Sequence, residues 1–530
     1  MAGHRCRPRF TARTPGYEIA WQFIFPASSI NRDPATGRTG RWSLHATAVE
    51  RRVKAAVRRS GLAKRASCHT FRHSFATETL RAGCAIRTLF ARRGLPGLAR
   101  PSILSLRIFT CSARTLMRSI STRHPATIGL LAAVFLCGAR NEIAAQTPGA
   151  AGCSPLETRA ANAPDQRPAL AGQTRACGIT SEVAFDVVVL ARGLEHPWAV
   201  EPLPGGDLLV TERTGSLRII SAAGVVGLPI DGLPDVDARG QGGLLDVALS
   251  PAFATDRTIY WSYTEPRQDG NGTAVARGVL SADRRNLEQV RTIFRAQPTY
   301  EGTMHYGSRL AFGPDGMLYI TTGERSDARM RRHAQQLDGH MGKVLRINTD
   351  GSAPRDNPFT GQSNAQPEIW TLGHRNPQAS AFDAQGRFWV IEHGTNGGDE
   401  LNLIEKGKNY GWPTQAYGEE YSRRPIAGAA TAPNGFQQPV YYWDPVIAPS
   451  GAQFYTGNAF PAWSGSLFIG ALREQRLVRL TLANNQVTGE EHLLVNRRQR
   501  VRDVRQGPDG LLYLVTDNPN GELWKIAPRR

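Results

Sequence analysis

Between residues 205 and 517, one pattern of apolar and polar positions returns six times: a turn carrying Gly or Asp, then a strand in which apolar and polar side chains alternate. The copies are GGDLLVTE (205–212), TDRTIYWSY (255–263), PDGMLYITTGE (314–324), AQGRFWVIEHG (384–394), WSGSLFIGAL (463–472) and PDGLLYLVTD (508–517). Pro-Asp-Gly and Asp/Gly turns suit tight hairpins, and a period of two suits half-buried strands. Helical periodicity is nearly absent. Each repeat is one small sheet that cannot bury both faces alone, so neighbouring copies must pack against each other. The pattern predicts an all-β fold, a six-bladed β-propeller over residues 184–530, with a β-sandwich as the competing architecture. Ligands of such a fold sit at one mouth of the central channel, on loops expected to follow inner strands.

Charge divides the 530-residue chain differently. Its net charge is +19, but residues 1–146 hold 25 Lys/Arg against 5 Asp/Glu, while residues 147–530 hold 39 against 40. The basic excess therefore belongs to the front segment, and the β region has no basic stripe of the kind that binds nucleic acid. Within the front segment, ASCHTFRHSFATETLRAGCAIRTL (66–89) contains His69 and Arg72 in the spacing His-x-x-Arg. Residues 17–89 thereby resemble the catalytic end of integron-type tyrosine recombinases. No Tyr stands between Tyr17 and Tyr260, so the nucleophile such chemistry needs is missing and a truncated remnant is expected.

Residues 117–146, MRSISTRHPATIGLLAAVFLCGARNEIAAQ, have the form of a secretory signal: a start methionine, Arg118 and Arg123, an apolar run over 128–137, and a small-residue exit at Ala144 and Ala145. A product starting at Met117 is expected, with 1–116 an out-of-pattern segment, 147–183 a linker or amino-terminal arm, and 184–530 the propeller. That product would be periplasmic or secreted. Of seven cysteines, only Cys153 and Cys177 fall in the expected mature chain, one pair able to tie down the arm in an oxidising compartment.

Ordered matches then accumulate across residues 184–527: LEHPWAVEPLPGGDLLVTER, GQGGLLDVALSPAFA, HYGSRLAFGPDG, GKVLRINTDGS, IWTLGHRNPQ, GGDELNLIEKGKNYGWP, YYWDPVIAPSG and RVRDVRQGPDG. With these residues the chain resembles the soluble PQQ-dependent glucose/sorbosone dehydrogenases, in particular their aldose sugar dehydrogenase branch. Hydride-transfer chemistry needs a base for the substrate hydroxyl, an acidic partner that fixes the tautomer of that base, a polariser, and cations for an anionic cofactor. His305 and Glu324 are placed so that antiparallel pairing could join imidazole to carboxylate. The resemblance makes His305 the general base and Glu324 its partner. It places Arg375 near the quinone carbonyl, with Asn376 and Gln241 as further quinone contacts, and makes Arg473, Arg500 and Arg502 a clamp for the carboxylates of PQQ. Alternate residues of a strand share a face, which would put Arg500 and Arg502 together.

The resemblance also implies Ca²⁺, held by the backbone carbonyls of Gly394 and Thr395, and a second calcium position at Glu400 and Tyr410. Asp399 beside Glu400 could equally serve only to stabilise a turn. Three departures from the family pattern concern rate and substrate range: Thr395 replaces a proline, Glu324 an aspartate, and Thr303 and Met304 replace glycines. The implied partners are an aldose and an external electron acceptor, with no nucleic acid, no stable membrane insertion, and a monomeric or homodimeric state. The alternatives are a calcium-dependent propeller lactonase, which would need carboxylates converging on a central metal, and a catalytically silent binding propeller, which would tolerate loss of His305 or of the Arg500–Arg502 couple.

Overall fold

The computed structural model describes residues 31–32, 39–40 and 153–529. Asn31–Arg32 and Thr39–Gly40 pair as a two-stranded antiparallel ladder in the first of two units, Met1–Ala139. The rest of the recombinase-like segment, the expected signal peptide and the cysteines before Cys153 lie outside the described residues.

In the second unit, six four-stranded antiparallel sheets follow one another along the chain. Their first strands are Pro197–Pro202, Leu244–Leu249, Leu310–Phe312, Pro377–Phe382, Pro449–Phe454 and Val501–Gln506. These strands approach one another around the ring and form its inner wall. The fold is a six-bladed β-propeller, as the repeats predict. Blade six takes its outer strand from the opposite end of the domain: Phe185–Leu194 pairs with Gly521–Pro528. The ring is closed by this pairing, which leaves no open seam between its first and last blades.

The repeated phrase occupies the second strand of each blade: Leu208–Glu212, Thr258–Arg267, Leu318–Thr322, Phe388–Glu392, Leu467–Ala471 and Leu512–Thr516. Two expectations change as a result. These strands are not half-buried; Leu208–Glu212, for instance, is buried at all five positions. The cause is that the two faces of a blade serve two interfaces. Leu209 packs into the cluster between blades one and two, whereas Leu208 and Val210 pack between blades six and one. Tyr319 likewise faces blade four while Leu318 and Ile320 face blade two. Period two survives as a choice between neighbours rather than between core and water.

The second change concerns the mouth. Each second strand runs toward the end of the channel from which the next segment departs, and each inner strand begins at that same end, because the two are antiparallel. The mouth is therefore built from residues that precede inner strands and residues that follow second strands, not from loops after inner strands.

Residues 153–183 form no regular strand, yet they do not hang free. Cys153 and Cys177 are disulfide-bonded. The Asp444 carboxylate accepts the Asn162 and Ala163 N–H groups at 2.7 and 3.0 Å, and Gln173 Nε2 donates to the Pro439 carbonyl at 2.8 Å. The arm is a strap fastened across blades four and five. Among the described residues no helix is long and apolar enough to cross a membrane.

Candidate active site

A carboxylate stands at or just beyond the end of four second strands, and each one catches the segment that enters the neighbouring inner strand. Glu212 accepts the Glu195 N–H at 2.7 Å; Glu392 meets His374 Nδ1 at 2.8 Å and accepts the Arg375 N–H at 2.6 Å. In blade three the same device joins Glu324 to His305, with Oε1 and Nδ1 2.9 Å apart. In blade six Asp517 takes both Arg500, at 2.6 Å, and Arg502, at 3.1 Å. Three of these four latches thus hold residues to which the sequence assigns chemistry: His305, Arg375, and Arg500 with Arg502.

His305 is 5 % exposed and Glu324 is fully buried. The other Glu324 oxygen accepts the Ser326 N–H at 2.8 Å, which fixes the carboxylate. With Nδ1–H donated to Glu324, the free lone pair of the imidazole is on Nε2. Burial lowers the pKa of His305, the Arg375 cation lowers it further, and Glu324 opposes both without reversing the direction. The ring is therefore neutral at pH 7, the form a base requires.

The backbone around the imidazole is held on several sides. Gln241 Oε1 accepts the His305 N–H at 2.8 Å, and Asn376 Oδ1 accepts the Gly307 N–H at 3.1 Å. His305 itself has φ 48°, in the left-handed region where a side chain costs energy. Gly323 allows the close approach: a Cβ there would lie 2.4 Å from the His305 carbonyl oxygen. Gln241 and Asn376 were singled out as cofactor contacts; the structure places both against the His305 turn.

Arg375 lies next to this pair, its Nε 4.0 Å from Glu324 Oε1, with its guanidinium over the Trp412 ring at 5.2 Å. Nη1 donates to the His393 carbonyl at 3.0 Å and also to the Gly394 carbonyl. The Gly394 carbonyl, one of the two expected to hold calcium, thus accepts from Arg375 with one of its two lone pairs. Asp399 has the turn-stabilising role: its two oxygens accept the Gly394 and Ala448 N–H groups, each at 2.7 Å.

Glu400 points instead toward Glu392. Burial pushes its carboxyl well above the usual range, and Glu392 pushes it further. Asn402 Nδ2 donates to both carboxylates, at 3.0 and 3.3 Å. Beside them is a cavity of about 20 Å³ lined by Gly394, Thr395, Glu400, Tyr410 and Tyr417 among others, about the space of one water-sized particle. Tyr410 lines the same cavity as Glu400, and its hydroxyl donates to the Leu403 carbonyl at 2.6 Å and accepts the Glu405 N–H at 2.9 Å.

The cationic couple differs from its expected form. Arg502 is 6 % exposed rather than solvated, and its Nη1 donates to Gln378 Oε1 at 3.0 Å. Burial alone would raise the Asp517 pKa, but Arg502 and Arg500 hold it well below the ordinary carboxylate range. Arg500 is more open, and Arg473 is exposed with no ion pair among the described residues. Three mouth residues escaped the sequence reading. Asp517 ends a repeat and looks like one more turn residue. Trp198, whose ring lies 5.9 Å from the Arg502 guanidinium, looks like core. His393 is half-buried with its Nε2 buried, and its pKa is lowered well below normal by desolvation and then by His305 and Arg375. The EHG tripeptide was the only signal for it.

Residues 194–525 match the family described as Glucose / Sorbosone dehydrogenase, and the chain belongs to that family. It is 45 % identical over 348 residues to the aldose sugar dehydrogenase YliI of Escherichia coli, covering 65 % of this chain and 93 % of that protein. It is 31 % identical over 414 residues to quinoprotein glucose dehydrogenase B of Acinetobacter calcoaceticus, covering 63 % and 85 %. The PQQ-bound aldose sugar dehydrogenase of Streptomyces coelicolor superposes with a TM-score of 0.54 at 31 % identity, covering 66 % of this chain and all of that one. A separate match, 38 % identical over 74 residues, is to an integrase/recombinase of Escherichia coli and covers only 22 % of that protein. By family the protein is a sugar dehydrogenase, an oxidoreductase on a β-propeller.

Proposed function

We propose that the protein oxidises aldoses at C1 to the lactone with PQQ as its cofactor, passing the electrons to an external acceptor. The observation that carries this reading is the mouth itself: a neutral, carboxylate-oriented imidazole beside a cluster of guanidinium groups. Arg375 Nε, Arg502 Nε and His393 Nε2 are buried there without a hydrogen-bond partner among the described residues. Buried nitrogens of this kind are costly unless a ligand supplies partners. A flat molecule with several carboxylates and carbonyls fits them, and PQQ is such a molecule. A lactonase would need carboxylates converging on a metal at this mouth, which presents guanidinium groups instead.

When bound, PQQ supplies the hydride acceptor. The residues of the chain do the rest. His305 Nε2 takes the proton of the C1 hydroxyl, Glu324 holds the tautomer and stabilises the imidazolium that forms, and Arg375 polarises the acceptor carbonyl. Arg500, Arg502 and Arg473 bind carboxylates. Calcium would be held by the Gly394 and Thr395 carbonyls and would supply Lewis-acid character beside the cofactor. Export through the segment beginning at Met117 belongs to the same proposal, and the Cys153–Cys177 disulfide supports an oxidising compartment.

The test is reconstitution of the purified protein with PQQ, with and without Ca²⁺, followed by melting and by dye reduction with aldoses. PQQ is expected to raise Tm and to switch on aldose-dependent reduction, while a nicotinamide cofactor does neither. Absence of any PQQ-dependent shift at either calcium level overturns the reading. A second expectation concerns pH. The base works only when neutral, so kcat/KM falls as pH drops through the folded pKa of His305. Since burial and Arg375 hold that value below the ordinary 6.5, the rate should persist through pH 6.5 and be half lost only below it. An acid limb centred above 6.5 contradicts the assignment.

A further inference from the structure

Arg325 is the residue after Glu324, and its own backbone is left-handed, with φ 73°. Its side chain turns beneath the segment 300–306, which ends in the His305 turn. The residue is 4 % exposed, yet among the described residues its guanidinium has no carboxylate partner. All its acceptors are neutral: Nε donates to the Met304 carbonyl at 3.1 Å, Nη1 to the Asn271 carbonyl at 3.3 Å, and Nη2 to Asn271 Oδ1 at 2.6 Å and to the Gly302 carbonyl. The flat face of the cation lies 4.2 Å from the Tyr306 ring centre, and Tyr300 stands at 5.7 Å. Tyr306 and Asn271 are themselves fixed, the Tyr306 hydroxyl donating to Asn271 Oδ1 at 2.9 Å and Asn271 Nδ2 to Asp237 Oδ2 at 3.1 Å.

Burying a cation among neutral oxygens is expensive, and a methionine would fill such a space more cheaply if packing were all that was required. What the guanidinium adds is a fork that reaches the residue before His305, the Gly302 carbonyl and the neighbouring hairpin at once. The backbone contributes as well, since the Arg325 N–H points to the His305 carbonyl at 3.3 Å. Glu324 therefore holds the ring of His305, and Arg325 holds the chain on which that ring is mounted. The strained φ of His305 needs such a holder, because a loop free to relax would swing the imidazole away. From this geometry we infer that Arg325 is a positioning residue that aims His305 Nε2 at the substrate hydroxyl by clamping residues 302–305. The inference rests on His305 being the base.

The test uses the full chain loaded with PQQ. Arg325→Met and Arg325→Lys are each made in the parent and in a His305→Ala background. Arg325→Met in the parent should lower kcat by about 10–100-fold, as misplacing a reacting group does, with KM for the aldose and the affinity for PQQ changed by less than about threefold. Arg325→Lys, which keeps the charge and part of the donor set, should recover part of that loss and guards against a Met variant that fails to fold. In the His305→Ala background neither change should lower turnover further, because no base remains to be aimed. Amide hydrogen exchange over residues 300–306 in PQQ-free protein should quicken in Arg325→Met. The inference is overturned if kcat stays at the parent level, if it falls by the same factor without His305, or if exchange over 300–306 is unchanged. The base assignment fails separately, through near-parent turnover of His305→Ala alone.

Discussion

Replacing His305 with alanine is expected to lower aldose turnover by about two to four orders of magnitude, the range for a positioned general base, while PQQ binding persists. The argument for the loss is geometric. His305 has Nδ1 tied to a buried carboxylate, at 2.9 Å from Glu324, so that Nε2 is aimed and basic; His374 is tied to Glu392 in the same way, but its Nε2 is already paired with Thr371 Oγ1 at 2.9 Å. The argument for retained binding is that the side chain of His305 contributes none of the guanidinium donors. The variant should be destabilised by about 1–3 kcal/mol, because the buried Glu324 Oε1 loses its partner, while the Ser326 contact to the other oxygen remains. PQQ titrations followed by melting, beside dye-reduction rates at saturating aldose, separate the two effects. Turnover near that of the parent removes His305 from its role.

The second large effect belongs to Arg502→Ala, which should weaken PQQ binding by about 1.5–3 kcal/mol, roughly tenfold or more in affinity, as loss of a charge-assisted hydrogen bond does. A solvent-facing arginine could be removed with little change in folding, but Arg502 is buried against Asp517 and Gln378. Its loss also deprives Asp517 of one of two cations, and the PQQ-free protein should be destabilised by about 1–3 kcal/mol. Full collapse is not expected, because Arg500 stays on Asp517 at 2.6 Å. Melts of parent and variant with and without PQQ read both quantities. If PQQ stabilises both proteins equally, Arg502 is not part of the clamp.

What the sequence reveals about this molecule follows the range of the forces involved. Six blades are legible because turn chemistry and period two are local, and the copies from GGDLLVTE to PDGLLYLVTD carry both. The His305–Glu324 contact is legible because it spans one hairpin. Which strand of a blade the phrase occupies is not, because alternation reads the same for an inner strand as for its neighbour. The burial of Arg502, whose Nη1 reaches Gln378 of blade four, depends on where blades meet, and the hydrogen bond from Arg375 to the Gly394 carbonyl, though it spans one hairpin, goes to backbone; neither leaves a trace in spacing. The strap over 153–183 is equally silent: its contacts with Asp444, Pro439 and Tyr441 are made by residues without periodicity.

The closing strand of the ring has a consequence for synthesis. A chain that leaves the ribosome amino end first delivers Phe185–Leu194 before any other strand of the propeller, yet its partner Gly521–Pro528 arrives last. For the whole of translation this earliest strand has no sheet to join. Arg502 lies in the first strand of the same late sheet as Gly521–Pro528 and Arg500 directly precedes that strand, so cofactor capture and ring closure become available in the same final stage. A nascent chain stalled before residue 521 should therefore hold five finished blades, the two-stranded start of a sixth from Val501–Gln506 and Leu512–Thr516, and a solitary first strand.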